Sequence, residues 1–251
     1  MQGKIFEGDY KTRCKNIDSL LCVGDTFDML KREIRLGDRH AVFYMIDGFL
    51  KGEVLEKIME FFLSLAPEDV PETYEDFLKK CTPYGDIVTV TTEQDFLHYV
   101  LSGLTGFVVE GYDEILVIDL RDYPSRSVEE PDKDKVLRGS RDGFVEAIMP
   151  NIALIRRRIR DVDLKFEIYS IGSSSRTDIS VVYMKDRVNQ KALSIIQKRL
   201  KKISVDSLTM NQESLAEVLM PRNWWNPYPK FKYTERPDTA AAYWKEVLRF
   251  W

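Results

Sequence analysis

Histidine is nearly missing from this sequence: His40 and His98 are its only occurrences in 251 residues. The side chain most often used for proton transfer in catalysis is therefore scarce. His40 opens a strand-like run and His98 falls in an amphipathic helical one, so both read as core or surface residues. With no motif pairing a nucleophile with a base, the chain is expected not to be an enzyme. Cysteine is sparse as well: Cys14, Cys22 and Cys81 form neither a CxxC pair nor a zinc spacing, and their odd number argues against a disulfide framework. A reducing compartment is the simplest expectation.

An excess of one charge sign is also lacking. The formal net charge is -4 with 31% charged residues, a solvated surface without the basic balance of a nucleic-acid binder. Long apolar runs are absent: Ala41 to Leu50 and Ile58 to Ala66 are broken by Asp47 and Glu60, and neither approaches the roughly 20 residues that cross a bilayer. The start is polar through Asn16 and carries no signal-peptide pattern. Gly172-Ser173-Ser174-Ser175 lacks the lysine of a phosphate loop and joins two strand-like runs. The acidic stretch Glu129, Glu130, Asp132 and Asp134 lacks the glycine and spacing of a calcium loop, and reads as solvated linker. No metal and no cofactor is expected.

What the chain does have is enough apolar content, 44%, to fill one large core or two modest ones. The pattern predicts an α/β protein of two subdomains, each a small mixed sheet with helices, joined by a proline-containing hinge and a kinked helix. Residues 1–24 read as an N-terminal extension ending in a short helix. Residues 25–120 form the first subdomain. Within it a hairpin is predicted over FDMLKREIRL and HAVFYMID, the second run apolar on both faces. Helices follow at 51–65 and 72–80, a strand at DIVTVT, a helix at 92–101 capped by Thr92, and strands at 107–109 and 115–118 around a Gly111-Tyr112-Asp113 turn. Residues 121–138 are a linker, and 139–220 a second subdomain with strands KFEIYSIG and DISVVYMK and a helix at 189–202. A short strand at 205–208 and a short helix at 212–219 complete it. Residues 221–251 form a tail in which Trp224, Trp225, Tyr228, Phe231 and Tyr233 sit among prolines and cations, a composition suited to an interface.

The linker is the organising stretch. Tyr123-Pro124 and Glu130-Pro131 interrupt regular structure. Ser140 is placed to cap a helix whose face reads Phe144, Ile148, Ile152, Ile155 and Ile159. Pro150 lies inside that pattern and is expected to kink or split the helix. Helical spacing puts Arg156 and Arg160 beside the apolar stripe and turns Arg157 and Arg158 away from it. Arg156 is thus expected to be structural, paired with a partly buried carboxylate, whereas Arg157 and Arg158 are expected to meet a partner.

Glu130-Pro131, Arg138-Gly139, Arg141-Asp142-Gly143-Phe144, Glu146, Asn151 and Leu154-Ile155-Arg156-Arg157-Arg158-Ile159 follow one another in a single window. That window resembles the N-terminal soluble region of GerA-family spore germination proteins, with similarity from about Asn16 to Ala242 and a departure over Tyr243–Trp251. The resemblance implies a domain whose parent continues into transmembrane helices in the spore inner membrane, this part facing the cytoplasm. It also implies other spore germination membrane proteins as partners and a homo-oligomer in the full-length protein. The function implied is an assembly or signalling module that helps trigger ion or solute release at germination. The alternative is a germinant-binding module with a small-molecule cleft between the two subdomains. Arg138, Arg141, Asn151, Arg156, Arg157 and Arg158 are the candidate binding or interface residues.

Overall fold

The computed structural model describes residues 3–82, 86–123, 142–171, 177–203, 215, 219 and 232–246. Seven helices are named among them: α1 Tyr10–Leu20, α2 Gly52–Ser64, α3 Tyr74–Lys80, α4 Glu93–Leu101, α5 Ile148–Arg158, α6 Gln190–Lys202 and α7 Pro237–Glu246. The strands are β1 Met29–Leu36, β2 Arg39–Ile46, β3 Ile87–Val90, β4 Thr105–Val109, β5 Ile115–Ile118, β6 Leu164–Ile171 and β7 Thr177–Met184. The chain divides into two compact units, Met1–Ser125 with Arg160–Val162, and Arg126–Ile159 with Asp163–Trp251.

In the first unit the expected hairpin is present, with Met29 opposite Ile46 and Leu36 opposite Arg39. β2 is central because six consecutive residues, Ala41 to Ile46, are buried, so both of its faces must be covered. The sheet order is β1-β2-β4-β5-β3. Every pairing in it is antiparallel, not mixed as expected. The cause is the tight β4–β5 connection at Gly111, whose φ of 91° suits glycine. This hairpin turns β5 back into the gap between β4 and β3, so two strands running the same way never touch.

Alternate residues of the strands face different helices. Phe43, Phe107 and Leu116 share one core with Ile58 and Phe62 of α2 and Phe77 of α3. On the opposite face Tyr44 donates to Asp18 of α1 at 2.9 Å and packs edge-on to Phe96 of α4 at 6.5 Å. Gly106 makes that approach fit: a Cβ there would lie 2.7 Å from the Phe96 ring. Thr92 caps α4 as expected, accepting from the Asp95 N–H at 3.1 Å.

Residues 3–24 are an integral part of this unit, contrary to the reading of 1–24 as an extension. Ile5, Cys14, Ile17 and Leu21 are buried. Arg13 is buried with them, donating to the Ile5 carbonyl at 3.3 Å, the Tyr112 carbonyl at 2.6 Å and the Asp113 carbonyl at 2.7 Å. A guanidinium here satisfies the carbonyls of the β4–β5 turn. The expected linker also begins late. The Asp122 N–H donates to the Phe49 carbonyl at 2.7 Å, and the Tyr123 hydroxyl donates to the Ser102 carbonyl at 2.6 Å, so 121–123 close the first unit. The remaining linker lies outside the described residues.

The second unit is built on the β6–β7 hairpin, antiparallel from Leu164 opposite Met184 to Ile171 opposite Thr177. One face carries Leu164, Phe166 and Met184 against Ile152, Ile155 and Ile159, with Ala241 of α7 joining them. The other face meets α6. The 205–208 strand lies outside the described residues, as does the 212–219 helix apart from residues 215 and 219.

Candidate functional site

The helix expected from Ser140 starts at Ile148 instead, with Ala147 before it in extended conformation. Residues 142–147 are not helical, and Ser140 lies outside the described residues. Pro150 explains the late start. It is the third residue of α5, a position whose N–H has no partner within a helix in any case. The proline therefore opens the helix rather than kinking it. The apolar stripe persists across the break: Phe144 and Ile148 still pack on the cluster of Ile152, Ile155 and Ile159.

Asn151 holds the incoming strand-like segment to the helix. Its Oδ1 accepts from the Val145 N–H at 2.8 Å and its Nδ2 donates to the Val145 carbonyl at 2.5 Å. The Phe144 N–H donates to the Glu235 carbonyl at 2.8 Å, which ties the same segment to the approach to α7. Among the candidate residues Asn151 is thus a local clamp.

The three arginines that end α5 occupy different environments. Arg156 is 1% exposed, donates to the Leu164 carbonyl at 2.8 Å and lies 5.0 Å from the centre of the Phe166 ring. A backbone carbonyl and an aromatic face thus both stand beside the guanidinium, and its burial makes Arg156 structural as expected. Arg157 is exposed. Arg158, expected to point toward a partner, is half-buried: it donates to the Leu154 carbonyl at 2.9 Å and pairs with Asp142. Arg160 does not lie beside the stripe, because the helix ends at Arg158; it is exposed and donates to the Ser102 hydroxyl at 3.0 Å. Arg138 and Arg141 lie outside the described residues.

Beside α5 a cleft of about 340 Å³ opens against β7. Its apolar wall is Phe144, Ile148, Ile152, Ile155 and Val182, and Glu146, Asn151, Asp178 and Ser180 supply polar groups. The Ser180 Oγ is buried and has no hydrogen-bond partner among the described residues. An orphaned hydroxyl next to an apolar wall is what a small ligand or an ordered water satisfies.

The opposite face of the hairpin carries a polar cluster that the pattern reading passed over. Glu167 accepts from the Tyr169 hydroxyl at 2.5 Å, from the Tyr183 hydroxyl at 2.7 Å and from the Gln197 amide of α6 at 2.9 Å. Burial raises the Glu167 pKa, but these hydrogen bonds outweigh it and hold the carboxyl below its usual value. The i, i+2 spacing of Glu167 and Tyr169 was visible in the strand, whereas Tyr183 and Gln197 join only through pairing and packing. Elsewhere Cys14 and Cys81 are buried free thiols, pushed up in pKa by desolvation. No described helix is long and apolar enough to cross a membrane.

Comparison with known proteins places these features in a family. The model of the Bacillus/Clostridium GerA spore germination protein matches residues 17–246, so Tyr243–Glu246 belong to the shared region and do not depart from it. Stage V sporulation protein AF of Bacillus subtilis (strain 168) is 36% identical over 221 residues, covering 87% of this chain and 44% of that protein. The uncharacterized membrane protein YfkQ of the same organism is 27% identical over 231 residues, covering 91% of this chain and 44% of that protein. The chain thus spans less than half the length of these relatives. The crystal structure of the N-terminal domain of the A subunit of the Bacillus megaterium spore germinant receptor GerK3 shares the fold, with a TM-score of 0.66 at 23% identity over 96% of this chain and 89% of that one.

Proposed function

This chain belongs to the Bacillus/Clostridium GerA spore germination protein family, and we propose that it is an assembly or signalling module of a membrane-bound germination complex rather than an enzyme. The observation that carries this reading is the docking of α7 in the core formed by α5 and the hairpin, through Ala241. Arg236 pairs with Asp238 at the start of α7 at 2.6 Å. The Asp238 carboxyl is held below its usual value chiefly by its hydrogen bond with Arg236, with a small further contribution from the charge of Arg158 on α5. Packing at Ala241 is therefore the route by which a shift of α5 would reach α7. In the complete protein, about twice as long in the relatives, such a coupling would carry a signal between this region and the remainder. Self-association, partnership with other germination proteins and a place at the spore inner membrane on its cytoplasmic side are parts of the same proposal.

The non-enzymatic reading is supported by the exposure of both histidines and the raised pKa of the buried thiols, which leaves no activated nucleophile among the described cysteines of the core. The assembly reading is tested by affinity recovery of the tagged full-length protein from spores. Other germination proteins should come with it, and Arg157→Gln, at an exposed position of α5, should reduce their yield without lowering the level of the protein itself. Recovery of the protein alone would sink the proposal.

A small-molecule reading has one specific observation in its favour, the orphaned Ser180 hydroxyl in the cleft beside α5. A thermal-shift series with amino acids and sugars addresses it: a ligand at about 100 times its dissociation constant stabilises by ~2.7 kcal/mol. A response that survives Ser180→Val would place the ligand elsewhere.

A further inference from the structure

Helix α6 carries a charge pattern that its fold does not require. Across Gln190–Lys202 there are five cations and no acidic residue, in a chain whose formal net charge is -4. Leu193 and Leu200 are buried against the hairpin, which leaves the outer face to Lys191, Ile195, Lys198 and Lys202, all exposed. Their spacings of four, three and four lay them in one stripe along the helix. The last-turn cations complement the helix dipole. Lys191, second in the helix, opposes it, and no acidic residue occupies the first turn. Lys191, Lys198 and Lys202 form no ion pair among the described residues. Ile195 lies between Lys191 and Lys198 at 48% exposure, an apolar side chain offered to water within the line of positive charge.

We propose that this outer face of α6 is a docking surface for an anionic lipid bilayer. The residue types select that occupant over an acidic protein. Bidentate recognition of carboxylates on a partner favours arginine's planar fork, whereas the stripe uses lysine, a flexible point charge suited to a diffuse negative field. Protein interfaces deplete lysine and need an apolar centre. A single isoleucine is too small for that, yet it suits shallow insertion at the headgroup boundary beside snorkelling lysine stems. Each lysine near an anionic surface strengthens attachment by a factor of about five, so the face acts as an orienting contact rather than an anchor.

The test uses the 251-residue chain in sedimentation with vesicles of phosphatidylcholine alone or mixed with phosphatidylglycerol, at low and high salt. The chain should bind the mixed vesicles, release them as salt rises, and leave the neutral ones in solution. Combined Lys191→Gln, Lys198→Gln and Lys202→Gln should weaken partitioning on the order of a hundredfold, Lys198→Glu should weaken it by more than Lys198→Gln, and Ile195→Ser should weaken it without changing the salt dependence. Lys79→Gln with Lys80→Gln, exposed lysines of α3, should leave binding unchanged. Equal binding to neutral vesicles, an unaffected triple variant, or an equal loss in the α3 control would overturn the proposal. So would capture on an immobilised acidic peptide with no vesicle binding. The outcome is independent of the recovery experiment above, which reads partner proteins rather than lipid.

Discussion

Phe107→Ala is expected to cost about 3–5 kcal/mol of stability, the range for deleting a large aromatic from a packed core. Phe107 is 1% exposed and sits on β4, the strand between β2 and β5. Its ring lies 4.3 Å from that of Phe43, 5.1 Å from Phe62 at an interplanar angle of 3° and 6.5 Å from Phe77. It therefore joins the sheet to α2 and α3 at once. Truncation removes contacts on both layers, and the neighbouring strands hold β4 in place so the cavity cannot close. Phe61, next to Phe62 but only partly buried, is the control, and its alanine variant should lose clearly less. Urea unfolding of the two variants decides the matter. A loss below about 1 kcal/mol for Phe107→Ala would mean that the aromatic cluster does not hold the layers together.

The second large effect is expected at Arg156. Arg156→Gln removes the donor to the Leu164 carbonyl at 2.8 Å and the cation facing Phe166 at 5.0 Å. Because the site is closed to water, the stranded carbonyl should cost ~1–3 kcal/mol. Arg158→Gln breaks a pair with Asp142 whose side chains are 19% and 38% exposed, so solvent screening limits the loss to roughly 0–1 kcal/mol. Arg157→Gln, at an exposed site, should stay within about 0.5 kcal/mol of the parent. Melting temperatures should therefore fall in the order Arg156, Arg158, Arg157. Equal losses at all three positions would show that the arginine run acts as a unit and that burial does not sort it.

The arginine run also shows where reading from pattern stops. Helical spacing placed Arg156 beside the apolar stripe, and its burial follows from that position. The same spacing turned Arg158 away and kept Arg160 near the stripe; the structure has Arg158 folded back onto Asp142 and Arg160 beyond the helix end. Periodicity describes a helix face, but a long side chain can bend along it to any acceptor within reach, and periodicity has no meaning past the last turn. Pro150, expected to kink the helix or split it near Met149, instead stands in the first turn of a helix that begins at Ile148, for a related reason. Its effect depends on whether it stands in the first turn or later, and helix boundaries are the least legible part of a sequence. The N-terminal helix was undervalued because its core-facing set includes Arg13, whose role is to cap carbonyls about 100 residues away.

The sequence by itself determined the α/β class, the hairpin of β1 and β2, the doubly buried β2, the Thr92 cap, the β6–β7 pair and the family, since each depends on local periodicity, local turn chemistry or a contiguous motif. The tertiary structure alone decided the insertion of β5 between β4 and β3, the donors gathered on Glu167, the packing of α7 on α5 and the cleft at Ser180. These are contacts between residues far apart in the chain. Their existence depends on how buried surfaces fit and where stranded polar groups find partners, and neither quantity has a period that a single strand of sequence can carry.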